Sequence, residues 1–332
     1  MAPEHPDVLL VSVITLLGIA SLGVWFALVD RLGRGPILAY EPRRPVPWHG
    51  VWTLLPILLV VGTLYSALTS AGAANEDKSV AAAGDMVQRI AAGSATQTAL
   101  VVAFLTVMVI VSEATRTDLG FPKNSTELAR DIRIGVIAWL ACIAPVYATQ
   151  IALTMLFGPT EGHLLLNVVQ EKPDLLTFLV AFVVAVVLAP LCEEPLFRLV
   201  LQGSLEKWEA RLVGWRIPPV EIASDEVETA PEIADAAMAE EVSSTPPVQL
   251  EPPTVGAFGL PYGWLPILVS ALLFGLAHFG YGPEPVPMFL LGIIFGYVYQ
   301  RTHRIVPTLV AHALFNGMTL FMLWRFILAG KE

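Results

Sequence analysis

Long apolar runs separated by short polar connections dominate the chain. They cover residues 8–28, 51–72, 98–113, 134–157, 175–200, 264–280, 288–299 and 305–328. Each is near the roughly 20 residues a helix needs to cross a bilayer, with the third and seventh on the short side. The pattern predicts an all-α fold, a polytopic membrane helix bundle of about eight transmembrane helices. The first run follows MAPEHPD, which has no positive leader, and no cleavage site follows it. It therefore reads as a retained span rather than a signal peptide.

Charge tests this count. With the N-terminus placed outside, the inside connections hold 14 of the 19 Lys and Arg residues, and the outside keeps five: Lys78, Arg89, Lys172, Arg325 and Lys331. That bias puts both termini outside and the 217–262 segment in the cytosol. An apolar share of 55% with 14% charged residues and a mean hydropathy of +0.67 agrees with an integral multi-pass protein of the lipid bilayer. The net charge of −10 belongs to one segment. Residues 217–262 carry nine acids, eight prolines and no Lys or Arg, and without them 20 acids face 19 bases, a net −1. The segment reads as an acidic, proline-rich, disordered insert. Cys142 and Cys192 lie inside apolar runs and read as buried thiols rather than a disulfide. No phosphate loop, HExxH, GxSxG or basic nucleic-acid stripe is present, so nucleic acid is not an expected partner.

The chemistry gathers in three apolar runs. The fifth ends in APLCEEPLFRLV (189–200), where Glu193 and Glu194 follow the apolar residues without a polar transition. Charges in such a place usually face a protein interior and serve a function. Glu194 and Arg198 are four apart, on one helix face, and can pair. Glu193 sits about 100° around the helix, outside that pair. One carboxylate neutralised and one free in an apolar surround suits a general base. An ion pair capping a helix at the cytosolic boundary is the plainer alternative. The sixth run carries FGLAH, ending in His278, and the eighth carries HALFN, with His312 and Asn316 on one face. Polar groups inside a membrane must be satisfied internally, and the cheapest solution is for them to meet. Gly275, Gly292 and Gly296 suit close helix packing within the bundle.

EEPLFR, FGLAH and HALFN together, in this order and in late apolar runs, resemble the CPBP family: the CAAX-protease and bacteriocin-processing (Abi) intramembrane proteases, which include the type II CAAX prenyl endopeptidases. The resemblance covers about 131–328, leaving 1–130 as an N-terminal three-helix membrane extension, and 217–262 as an interruption of the core. It implies an intramembrane endopeptidase acting on a membrane-associated protein or peptide. Glu193, aided by His278, would activate a water; His312 and Asn316 would hold the oxyanion; Arg198 would orient Glu194. The favoured form of this mechanism needs no cofactor. A second form places Zn2+ on Glu193, His278 and His312, in keeping with the metalloprotease label the family carries. Non-enzymatic readings are a membrane scaffold or bacteriocin-immunity protein, and a transporter with a proton relay. The family's range suggests a bacterial inner membrane.

Overall fold

The structure is a computed structural model that describes residues 8–70, 83–158, 164–215, 252–280 and 283–329. Most of the 217–262 insert (217–251) lies outside the described residues. Nine helices make up the described chain: α1 (Val8–Leu32), α2 (Leu54–Ser70), α3 (Ala83–Val111), α4 (Ser125–Phe157), α5 (Leu164–Glu171), α6 (Leu175–Leu212), α7 (Trp264–Leu276), α8 (Pro285–Thr302) and α9 (Val306–Ala329). Six of them, α1, α2, α3, α4, α6 and α9, are long and apolar enough to cross a membrane. The shorter α7 and α8 complete the eight that the apolar runs predict. The third run is not short, because α3 extends it N-terminally through polar residues to 29 residues. The amphipathic α5 falls in a connection the hydropathy pattern leaves blank.

Helix boundaries follow local chemistry. Asn124 caps α4, its side chain accepting the Glu127 N–H at 2.9 Å, and the Glu127 carboxylate accepts the Lys123 N–H at 2.8 Å. Asp174 does the same for α6, accepting the Thr177 N–H at 2.8 Å. Pro285, Pro287 and Pro307 sit in first turns, where a missing N–H costs nothing.

Three prolines sit deeper, and at two of them, Pro145 and Pro190, another helix repairs the ladder. Pro145, inside α4, has no N–H for the carbonyl of Ala141. The Trp25 indole of α1 donates to that carbonyl at 2.9 Å, and the Ala144 N–H bonds Ser21 Oγ at 3.0 Å. In α6 the sequence suggests kinks at Pro190 and Pro195. The structure instead keeps helical dihedrals and widens into two π-helical segments, Val183–Leu188 and Pro195–Gln202. The Ala189 N–H reaches back five residues to the Val184 carbonyl. The next bond in that register would need an N–H on Pro190, so the Ala185 carbonyl is left over. Asn316 of α9 donates to it at 2.8 Å.

The core gathers α4, α6, α7, α8 and α9 around a dry cluster that includes Cys142, Phe197, Phe274, Phe295 and Phe315. α7 and α8 pack almost backbone to backbone, since a Cβ on Gly292 would stand 2.9 Å from the Ala271 Cα. Both cysteines are buried free thiols. At the basic end, ion pairs tie the connections together. Arg304 bonds Asp131 at 2.7 Å and Glu127 at 3.0 Å, Arg43 bonds Glu206 at 2.9 Å, and Arg44 pairs with Asp118. Residues 252–262, read from sequence as part of the disordered insert, form a described loop docked on α6. Glu209 accepts the N–H groups of Ala257 at 3.0 Å and Gly263 at 2.9 Å. A buried acceptor facing two orphan N–H groups fixes this turn in place.

Candidate active site

α6 delivers Glu193 and Glu194 from its middle, on the short α-helical stretch Ala189–Glu194 between the two π segments. At 38 residues α6 is much longer than a membrane needs. The two glutamates lie about halfway along it, and both reach His312.

Glu194 and Arg198 are completely buried and bond at 3.1 Å, as their spacing requires. Arg198 also donates to Ser270 Oγ at 3.1 Å, and the Ser270 hydroxyl donates to the Phe197 carbonyl at 2.9 Å. The Phe274 and Phe295 rings flank the guanidinium at 5.3 and 6.0 Å. The second Glu194 oxygen bonds His312 Nδ1 at 2.9 Å. A carboxylate there keeps the proton on Nδ1 and leaves Nε2 as the reactive face of the ring. That Nε2 lies 3.9 Å from Glu193 Oε2. Glu193 Oε2 is buried and makes no hydrogen bond among the described residues. The pairing thus splits the two adjacent glutamates into one saturated and one available carboxylate.

His278 lies just beyond the last turn of α7, not inside it. Its Nδ1 bonds its own helix at the Phe274 carbonyl, 2.9 Å away, which again frees Nε2. Phe274 stands against both imidazoles, with centroids 5.0 Å from His278 and 5.9 Å from His312. No hydrogen bond or ion pair among the described residues joins His278 to Glu193. Asn316 commits one amide hydrogen to Ala185 and keeps the other.

Glu193, His278, His312 and Asn316 share the wall of one cavity of about 920 Å³. Glu194 and Arg198 stand behind that wall. Sequence reasoning missed Ser270, the aromatic pair around Arg198 and the Ala185 carbonyl, none of which has a motif signature. It also missed Glu284, which precedes α8 and lines the same cavity. Burial pushes the Glu284 carboxyl up to about 7. A lone acid between two apolar runs reads as a loop residue, so pattern alone has no means to find it.

The donor set bears on the zinc reading. Among the described residues no three His, Cys, Asp or Glu side chains gather as a metal site requires. His312 Nδ1 is engaged by Glu194 and His278 Nδ1 by a carbonyl, so each would offer Nε2, but these nitrogens and Glu193 are not gathered into a cage.

Residues 253–318 match the family model described as type II CAAX prenyl endopeptidase Rce1-like. The matched stretch holds FGLAH and HALFN and stops short of EEPLFR, which the fold brings to them. No curated protein and no solved structure matches the chain. The match supports a CAAX-protease-type intramembrane endopeptidase, and with the apolar helices it supports an integral multi-pass membrane protein.

Proposed function

We propose that the chain hydrolyses a peptide bond of a membrane-associated protein or peptide, with Glu193 as the base that activates water. The observation that carries this is the state of Glu193: its Oε2 is buried and unbonded, 3.9 Å from a histidine nitrogen, and the residue lines a large cavity. A water drawn from the cavity to this carboxylate would meet an acceptor on Glu193 and a proton partner on His312. Glu194, pinned by Arg198, holds His312 in the tautomer that presents Nε2. His278 Nε2 is a second site to take and return the proton. The free amide hydrogen of Asn316, and His312 once protonated, are the donors for the tetrahedral oxyanion. The bulk of this machinery preorganises dipoles and protons, which is where most catalytic advantage in acyl chemistry lies. The metalloprotease form is an outcome of the test, the scaffold and immunity readings leave the unbonded Glu193 without a role, and the transporter reading, a proton relay through Glu193, Glu194 and His278, lacks the inverted repeat such folds carry. The 14-to-5 distribution of Lys and Arg supports both termini outside, and the range of the resembled family supports a bacterial inner membrane.

The test is cleavage of a membrane-peptide library by the full chain in detergent, wild type beside Glu193→Gln, each with and without a strong zinc chelator. Loss of general-base action costs about 10²–10⁴-fold in rate. The expected result is a loss of that size in Glu193→Gln and none with chelator. Chelator-sensitive cleavage restored by zinc would replace this mechanism with a metal-dependent one. Equal cleavage by wild type and mutant would remove Glu193 from it.

A further inference from the structure

The walls of the cavity all come from one end of the bundle. α3 contributes residues between Met86 and Thr98, its N-terminal half, and α4 contributes Val146 to Gln150, from its C-terminal half. α6 contributes Val184 to Glu193, none beyond its midpoint. α8 contributes only its first turn, and α9 only residues from His312 onward. Successive spans run in opposite directions, so these halves lie together at the end holding Glu284 and α5. Glu193 and His312 form the floor. Beneath it Arg198, Gln202, Phe274, Phe295 and Tyr299 are completely buried, and none of them lines the cavity. Gln202 seals that layer with a 2.8 Å bond to the Gly296 carbonyl.

The opposite end carries Arg43, Arg130, Lys207, Arg301 and Arg304 among its many Lys and Arg residues. By the charge rule that end is cytosolic. Resting on the endopeptidase reading for its chemistry, we infer that the substrate reaches Glu193 from the extracytoplasmic side, as a peptide segment exposed on the outer face of the membrane, and not as a cytosolic lipidated tail.

The lining fits such a guest. Its volume, about 920 Å³, is near the top of the roughly 300–1,000 Å³ range of ligand pockets, enough for several residues of chain. Leu165, Leu188 and Leu320 offer apolar contact, while Ser94, Gln97 and Gln150 offer uncharged hydrogen-bonding groups to a peptide backbone. The outer part of the lining carries one basic and one acidic side chain, Arg89 and Glu284. A chain entering from outside therefore meets these two ionisable groups first and the reacting carboxylate last.

Cysteine accessibility tests the direction of entry without needing turnover, so a failure here is separable from a failure of the protease reading. The full chain, with Cys142 and Cys192 replaced by alanine, receives one new cysteine: Ser94→Cys or Gln150→Cys in the cavity, or Thr117→Cys in the α3–α4 connection at the basic end. A charged, membrane-impermeant thiol reagent is applied to intact cells and to inside-out vesicles, with SDS-denatured protein marking full labelling. The expected result is labelling of both cavity positions in cells and its loss in inside-out vesicles, with Thr117→Cys showing the reverse. Cavity positions labelled from the same side as Thr117→Cys would overturn the inference. So would cavity positions closed from both sides, or Thr117→Cys labelled in intact cells.

Discussion

Replacing Arg198 by methionine strips a counter-ion from a completely buried carboxylate while keeping side-chain volume. Glu194 would lose its 3.1 Å partner and Ser270 Oγ its donor at 3.1 Å. Removing one member of a buried pair costs about 3–5 kcal/mol, because the remaining charge stays desolvated. Glu194 retains His312 Nδ1 at 2.9 Å, which places the expected cost of Arg198→Met at the lower end, about 3 kcal/mol. The double variant Glu194→Gln/Arg198→Met removes both charges, and the glutamine can still accept from His312. Its expected cost is about 1 kcal/mol, well below the sum of the two single changes. The measurement is SDS or thermal unfolding of the three variants and wild type in one detergent. Single and double costs that simply add would refute the pair as the anchor of the site. A cost near zero for Arg198→Met would do the same.

Asn316→Ala is expected to cost about 1–3 kcal/mol by orphaning the Ala185 carbonyl. Adding Pro190→Ala supplies a backbone N–H and recovers much of that stability without recovering cleavage; recovery of both would reduce Asn316 to a structural role. Gly292→Ala should lower stability by about 1–3 kcal/mol, since the new Cβ meets the Ala271 Cα at 2.9 Å. Gly62→Ala, with nothing within 4 Å of its Cβ, should be neutral or slightly stabilising, and equal effects would sink the packing argument. Glu284 carries a carboxyl raised from 4.5 to about 7 by burial, so between those values the folded protein holds a proton that the unfolded chain releases. Its contribution to stability is full below about pH 4.5 and is lost as pH rises to about 7. Wild type should lose stability relative to Glu284→Gln across that window, by at most about 2 kcal/mol given partial access of water. Parallel pH profiles for the two proteins would contradict it.

Much of the site was legible as spacing. Glu194 and Arg198 pair because four residues make one helical turn with a small remainder, and the sequence contains that information completely. That Glu193 lies outside this pair follows from the same geometry. Asn316 is the contrary case. Its place after His312 reads as a second donor for chemistry, yet one of its hydrogens closes a gap that Pro190 opens three helices earlier in the chain. No local pattern connects positions 190 and 316. Nor does any pattern connect Trp25 with Pro145, although the physical problem, a carbonyl orphaned in an apolar medium, is the same in both.

The amino-acid sequence by itself determined the membrane class, the helical content, the approximate number of spans and the residues that carry charge into them. Those are consequences of transfer energies summed along short stretches, and neighbours in sequence suffice to set them. The tertiary structure alone decided the divided roles of two adjacent glutamates toward one histidine, the widening of α6 in place of kinks, and the end of the bundle to which the cavity opens. Each of these depends on groups far apart in the chain meeting in a low-dielectric interior, where an unpaired polar atom is costly enough to dictate its partner.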